Sequence, residues 1–214
     1  MKITCLIPSL FLGIALSAAA LPAQAQTVPA PAEFYFDEDR STTQPIIAVR
    51  GEGDAVVDRL AKMIERDPRA TEPTLQLAGI AMKGGREELG RSLYTRAIGG
   101  LDRNSRLMRP ARWNYGWDLY RAGDASGALA QWAVLAEPGP IRGEWLPTTL
   151  AMALWKLDRK DEAVKWYAAA VRTYPDRWSS PADIAALLPD WREEDRATLI
   201  EVQRAWAANP PTWP

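Results

Sequence analysis

Apolar residues recur every three or four positions along most of the chain after residue 53, a spacing typical of amphipathic helices. Residues rich in glycine, proline and aspartate separate the periodic segments and mark their ends. The pattern predicts an all-α chain with helices at 54–66, 71–83, 86–101, 109–121, 125–137, 146–156, 161–173, 181–188 and 191–208. Asp54 and Thr71 are the expected N-caps of the first two helices, and the sequence Ser179-Ser180-Pro181 is expected to cap the short helix that follows it.

Two of the predicted helix pairs repeat one another at an offset of 35 residues. The first copy carries, in order, Tyr115, Gly116, Leu119, Ala128, Trp132 and Pro140. The second copy carries at the matching positions Leu150, Ala151, Leu154, Ala163, Tyr167 and Pro175. A fixed period of this length, held by small and aromatic residues, is typical of stacked helical repeats in which each unit buries its apolar face on its neighbour.

The order of these residues resembles the tetratricopeptide repeat, whose consensus contains Leu-Gly-x-x-Tyr, Ala-x-x-x-Phe and a closing proline. A weaker unit with Ala78, Gly90 and Tyr94 precedes the two clear copies, although Asp102 stands where the proline is expected. The resemblance implies a right-handed solenoid of antiparallel helical hairpins over residues 51–176. It also implies that the first helix of each hairpin lines a concave surface, where peptide ligands bind in this family.

The segments on either side of the repeats have a different composition. Residues 26–50 contain three prolines, an apolar knot at 34–36 and the acidic run 37–39, which together predict an irregular arm whose acidic run is solvated. Calcium binding by that run is disfavoured, because the alternating spacing and the glycine of a calcium loop are missing. Residues 177–214 are expected to form a helical segment that caps the solenoid, followed by a tail rich in proline and tryptophan.

The first residues are typical of a secretory signal peptide. Lys2 is followed by an uncharged stretch whose apolar core ends before the sequence Ala23-Gln24-Ala25, so cleavage is expected after Ala25. The alternative is an uncleaved anchor, which Pro8 and the Ala-x-Ala sequence disfavour. The mature protein is therefore expected in the periplasm or outside the cell, with no stable membrane span. Cys5 is the sole cysteine and would be removed, so no disulfide is expected.

The charge and residue types exclude several function classes. A formal net charge of −1 without a basic cluster argues against nucleic-acid binding, because phosphate neutralisation drives that interaction. The chain has no histidine, and its one cysteine lies in the predicted signal peptide. The common general base, thiol nucleophile and nitrogen or sulfur metal ligands are therefore missing, so neither an enzyme nor a metal or cofactor site is expected.

All ten tryptophans lie in the second half of the chain, and the repeat phase sorts several of them by helix face. Trp132 falls on a packing position, whereas a second set of residues falls on the face of the first helices turned away from the packing positions. These candidate partner-binding residues are Trp113, Trp117, Tyr120, Arg121, Trp145, Thr148, Met152, Trp155 and Lys156. They predict an aromatic groove with basic edges. The groove is either open to a partner or covered by another part of the chain, namely the C-terminal helix with Trp206, the tail or the 34–36 knot.

Two functions fit such a groove. The first is a non-enzymatic scaffold or adaptor that binds a peptide or protein partner, with Arg121 and Lys156 pairing a carboxylate and the tryptophans packing apolar side chains. The alternative is a glycan-binding envelope module, in which indole faces stack on sugar rings. The peptide hypothesis is favoured, because protein partners are what this scaffold usually binds and because few polar side chains accompany the tryptophans.

Overall fold

The computed structural model describes residues 27–31, 36–136, 142–189 and 191–212. Over these ranges the chain is all-α, and the sole β contact is an isolated parallel bridge between Asp37 and Gly143. The helices are α1 Asp54–Arg66, α2 Thr71–Lys83, α3 Glu87–Gly99, α4 Met108–Arg121, α5 Ala125–Leu135, α6 Leu146–Lys156, α7 Lys160–Thr173, α8 Pro175–Trp178, α9 Pro181–Leu187 and α10 Glu193–Ala208. The predicted signal peptide, residues 1–25, lies outside the described residues.

The hydrophobic periodicity located these helices closely. The predicted bounds of α1, α2 and α6 are confirmed, and those of the other predicted helices, α3, α4, α5, α7, α9 and α10, differ by one or two residues. The four-residue helix α8 was not predicted, because one turn is too short to show a period. None of the described helices is long and apolar enough to cross a membrane.

Two of the three predicted N-caps are wrong. Gly53 caps α1 with a positive φ of 78°, and Asp54 lies in the first turn, where its charge complements the helix dipole. Ala70 precedes α2, and the Thr71 hydroxyl donates to the carbonyl of Arg69 at 3.2 Å. Ser180 does cap α9, since its hydroxyl accepts from the amide of Ala182 at 3.2 Å.

Consecutive helices pack mainly in pairs, α2 with α3, α4 with α5 and α6 with α7, and α5 also packs on α6. The side chains at the described repeat positions are buried between these helices, apart from Pro175, which is exposed at the start of α8. Tyr94 of the weaker unit stacks on Tyr115 of the next one, with ring centroids 4.4 Å apart. The core is therefore continuous from one pair to the next, as the repeat pattern predicted.

Gly116, the glycine of the first clear copy, allows α4 and α5 to approach each other closely. A Cβ placed on Gly116 would lie 2.1 Å from Nε1 of Trp132, which is fully buried and donates to the carbonyl of Trp113 at 3.3 Å. The absence of a side chain at residue 116 thus lets the indole of α5 lie against the backbone of α4.

The N-terminal arm is more tightly attached than its composition suggested. Phe36 is 3% exposed, and its carbonyl accepts from the Tyr174 hydroxyl at 3.2 Å, whereas Phe34 and Tyr35 of the apolar knot lie outside the described residues. The expectation of a solvated acidic run is wrong for Asp39, which is 5% exposed and pairs with Arg109 at 3.1 Å. The reason is tertiary, since the basic partner comes from α4.

At the other end of the chain, α10 packs on α6 and α7. Trp206 lies beside Tyr167, with ring centroids 6.1 Å apart, and the Gln203 amide donates to the carbonyl of Ser179 at 2.9 Å. The tail from Asn209 to Thr212 is non-helical, and Trp213 and Pro214 lie outside the described residues. The C-terminal helix therefore covers the last repeat pair.

Candidate functional site

A cavity of ≈ 1100 Å³ extends along α2, α4 and the start of α6. The arm borders it on one side, and the segment from α8 to α10 borders it on the other. Five of the nine predicted partner-binding residues line it, namely Trp113, Trp117, Arg121, Trp145 and Thr148. The first helices of all three repeat-like units thus contribute to one space, as their shared register suggested.

The tryptophans in this cavity are packed against one another edge to face. The Trp113 ring lies 4.5 Å from that of Trp145 and 5.7 Å from that of Trp117, at interplanar angles of 60° and 78°. Trp191, which precedes α10, lies 4.6 Å from Trp117 at 72°. Trp113, Trp117 and Trp145 are only 7% to 8% exposed. All three line the cavity, but each leaves only a small part of its surface exposed.

Arg121 is held in place by the protein itself. Its guanidinium lies 5.1 Å from the centre of the Trp117 ring and 3.5 Å from the buried carboxylate of Asp195 in α10. The same carboxylate also pairs with Arg192 at 2.9 Å, within the first turn of α10. Arg121 therefore attaches α10 to the cavity wall, and less of its charge is available to a partner than the sequence suggested.

A polar pair lies close to Arg121, because Asp118 is one helical turn before it in α4. The Tyr94 hydroxyl donates to Oδ2 of Asp118 at 2.7 Å. A Cβ placed on Gly79 would lie 3.3 Å from the Tyr94 hydroxyl oxygen and 3.4 Å from Oδ2 of Asp118. Burial raises the pKa of Asp118, although the Tyr94 hydrogen bond and the charges of Lys83 and Arg121 partly oppose the shift. Burial also raises the pKa of Tyr94 far above its usual value. The Asp118 carboxyl is therefore a desolvated group that a ligand could approach over Gly79.

Lys83 is one of the exposed charged residues that line the cavity, together with Glu52, Asp54 and Arg86. It is the last residue of α2, it is exposed, and it makes no ion pair within the described ranges. Two apolar side chains stand on opposite borders, Ile47 of the arm at 57% exposed and Leu187 of α9 at 38% exposed. The cavity thus combines exposed charges of both signs, a desolvated carboxyl and an apolar rim.

The other four predicted residues do not line this cavity. Tyr120 and Met152 are buried in the core, where burial raises the pKa of Tyr120 to about 12. The Trp155 indole donates to Glu201 of α10 at 2.8 Å, and Lys156 is exposed on the solvent side of the same turn. Because α10 covers the end of α6, the long aromatic groove inferred from the helix face is divided, and its far part is an internal contact.

The C-terminal segment, one of the expected coverings, lies against the groove, but it does so through residues other than Trp206. Trp191 and Asp195 lie against the α4 side chains, whereas Trp206 packs on Tyr167 of α7. Trp178, which also lines the cavity, was not singled out in the sequence either. Trp178 and Trp191 both lie next to short irregular segments, and hydrophobic periodicity does not predict there which side chains are buried.

A scan of the chain against protein-family models finds no match, and a search of curated proteins finds no significant relative. The likeness to the tetratricopeptide repeat therefore depends on the motif residues and on their burial. Within the described part of the chain, no group of three or more carboxylate or thiol side chains is placed to hold a metal ion.

Proposed function

We propose that this protein is an exported scaffold of tetratricopeptide-like repeats, with cleavage after Ala25, which binds a peptide or protein partner in the cavity over α2, α4 and α6. The single observation that carries the proposal is the position of the cavity on the first helices of three successive units. In this interpretation the helix pairs form a right-handed solenoid of antiparallel hairpins, and the cavity lies on its concave face.

The lining of the cavity favours a peptide as the ligand. Ile47 and Leu187 offer apolar contacts at the rim, and Lys83 offers a charge for a carboxylate of the partner. The Asp118 carboxyl, which lines the cavity and accepts from Tyr94 through Oδ2, suits an amide or hydroxyl donor of the ligand. A peptide carries all three kinds of group.

The glycan alternative is less well supported. Stacking on a sugar ring requires an open indole face, and Trp113, Trp117 and Trp145 are only 7% to 8% exposed. We therefore retain the peptide or protein partner as the proposed ligand. Retention of the purified protein on insoluble peptidoglycan would reverse this order.

Reversing the charge of Lys83 is expected to reduce partner binding. Lys83→Glu replaces one of the exposed cations of the cavity with an anion and leaves the core unchanged, so recovery of a captured partner from an envelope extract should fall at least fivefold, or about 1 kcal/mol. Lys62→Glu makes the same change on an exposed position of α1 outside the cavity and is expected to leave recovery unchanged. Equal recovery of the partner with Lys83→Glu and Lys62→Glu would show that the partner does not bind in the cavity.

A further inference from the structure

The N-terminal arm crosses the first helices of all three repeat-like units in order. Asp37 forms the parallel bridge beside the start of α6, with its amide donating to the carbonyl of Arg142 at 2.7 Å and its carbonyl accepting from the amide of Glu144 at 2.8 Å. The arm then contacts α4 through Asp39 and ends against α2 at Val49. A short turn at residues 40–43 separates these contacts. The arm therefore follows the path that a bound peptide would follow.

The helices hold the main chain of the arm through amide side chains. Oε1 of Gln76 accepts from the amides of Ala48 and Val49, both at 2.8 Å, and its Nε2 donates to the carbonyl of Val49 at 2.7 Å. Nδ2 of Asn114 donates to the carbonyl of Gln44 at 3.1 Å. A side-chain amide carries both a donor and an acceptor, so it can bind a peptide main chain whatever the side chains of that peptide are.

These two amides occupy equivalent positions in successive units. Gln76 and Asn114 are 38 residues apart, which is also the spacing between Tyr94 and Trp132 at the matching packing positions. Both amides therefore bind the main chain of the arm from the same face of their helices. This indicates that the face formed by the first helices is suited to bind peptide backbone.

Two side chains of the arm add specificity to these backbone contacts. Phe36 is buried as an apolar anchor, and the Asp39 carboxylate accepts from Arg109 at 3.1 Å and from the Trp145 indole at 3.4 Å. The two residues are three positions apart, so a short segment is enough to present both groups. Arg109 also lies 5.8 Å from the centre of the Trp145 ring, which places the cation and the indole at one point.

The arm also divides the space along these helices. A second cavity of ≈ 1150 Å³ lies between the arm and the loop before α4, and Pro45, Ile46 and Ile47 line both this cavity and the first one. Release of the arm would join the two spaces into one groove along α2, α4 and α6. A partner segment would then reach the Gln76, Asn114 and Arg109 side chains that the arm now occupies.

We infer that residues 36–49 are an intramolecular ligand of the concave groove, and that the partner displaces them with a segment of the same chemistry. That segment carries an aromatic residue and, three positions later, an aspartate, and its main chain bonds to Gln76 and Asn114. The inference rests on the proposed function. Because the arm is tethered, its effective concentration is on the order of millimolar, so it raises the partner affinity needed to open the groove.

Binding of the arm sequence in trans tests this inference. A labelled peptide of residues 36–49 is titrated by fluorescence anisotropy into the full chain and into Asp39→Asn, whose own arm is held less tightly. The apparent Kd for Asp39→Asn should be at least tenfold lower than for the wild type. Arg40→Ala, which changes an exposed arm residue whose side chain pairs with the exposed Glu38, should behave as the wild type. Peptides with Phe36→Ala or Asp39→Asn should bind more weakly than the parent peptide.

Equal affinity for the wild type and Asp39→Asn, or no binding to either, would overturn the inference. A second measurement serves if Asp39→Asn fails to fold. A protease site placed in the exposed loop at residues 51–53 is cut after the intact chain has folded. The labelled peptide should then replace the cut arm while the protein keeps its helix content. If the protein instead unfolds after cleavage, the arm is an ordinary part of the core and the inference is wrong. If the peptide exchanges but Lys83→Glu captures the partner as well as the wild type does, the inference about the arm stands and the proposed function of the cavity is rejected.

Discussion

Replacing Gly116 with alanine is expected to destabilise the protein by about 2–3 kcal/mol, because the buried indole of α5 leaves no room for a Cβ. That Cβ would lie 2.1 Å from Nε1 and 2.5 Å from Cε2 of Trp132. Trp132 is fully buried and is also held by its hydrogen bond to the carbonyl of Trp113, so the ring cannot move without disturbing the core. Chemical denaturation followed by circular dichroism would measure the free energy of unfolding.

Gly99→Ala is the matched control for this substitution. Gly99 also lies in a helix, but beyond the backbone of that helix no atom comes within 4 Å of the place where a Cβ would stand. Alanine should therefore stabilise the protein by about 0.5–1 kcal/mol through helix propensity. A double-mutant cycle with Trp132→Leu should show that part of the cost of Gly116→Ala disappears when the ring is removed. A Gly116→Ala protein as stable as the wild type would show that the two helices do not approach this closely.

Replacing Asp39 with asparagine is expected to cost about 2–3 kcal/mol at neutral pH, because a buried charge-assisted network is lost. The carboxylate accepts from Arg109 at 3.1 Å, from the Ser41 hydroxyl at 3.0 Å and from the amide of Thr42 at 3.2 Å. Asparagine keeps the shape of the side chain but leaves the half-buried Arg109 without its counter-charge. Thermal denaturation of the two proteins under identical conditions would measure the difference.

The cost of Asp39→Asn should depend on pH in a defined direction. Burial alone would raise the pKa of Asp39, but the bonds from Thr42, Arg109 and Ser41 outweigh burial and hold the pKa below its usual value. The stabilisation is therefore fully present above the unfolded-state pKa of about 3.9 and is lost as the pH falls through the lower folded-state pKa. The difference between the two proteins should be constant from neutral pH down to about pH 5 and should shrink in stronger acid. A difference that grows on acidification would contradict the ion pair.

The positions of the helices were predictable from the sequence because each depends mainly on its own apolar period. The segment 146–156 illustrates this, since proline near its start and a lysine at its end agree with the observed α6. The caps were less predictable, because a capping side chain competes with other local partners. Thr71 donates to Arg69 instead of capping α2.

The candidate site was predictable in part. The repeat phase placed Trp113, Trp117 and Trp145 on one side of their helices, and all three line the cavity. The same phase could not show that Trp155 lies against α10, because that contact joins segments 46 residues apart. Nor could it show that the acidic run of the arm is neutralised by Arg109, which is 70 residues away.

The sequence by itself determined the helical class, the approximate bounds of most helices and the pairing of small with aromatic residues that builds the core. These properties follow from local periodicity and from side-chain volume, which are present in any short stretch of chain. The tertiary structure alone decided which aromatic residues are covered, where charge remains accessible and what occupies the groove. Those properties arise from contacts between the two ends of the chain and its middle, and no local pattern encodes which distant segments will meet.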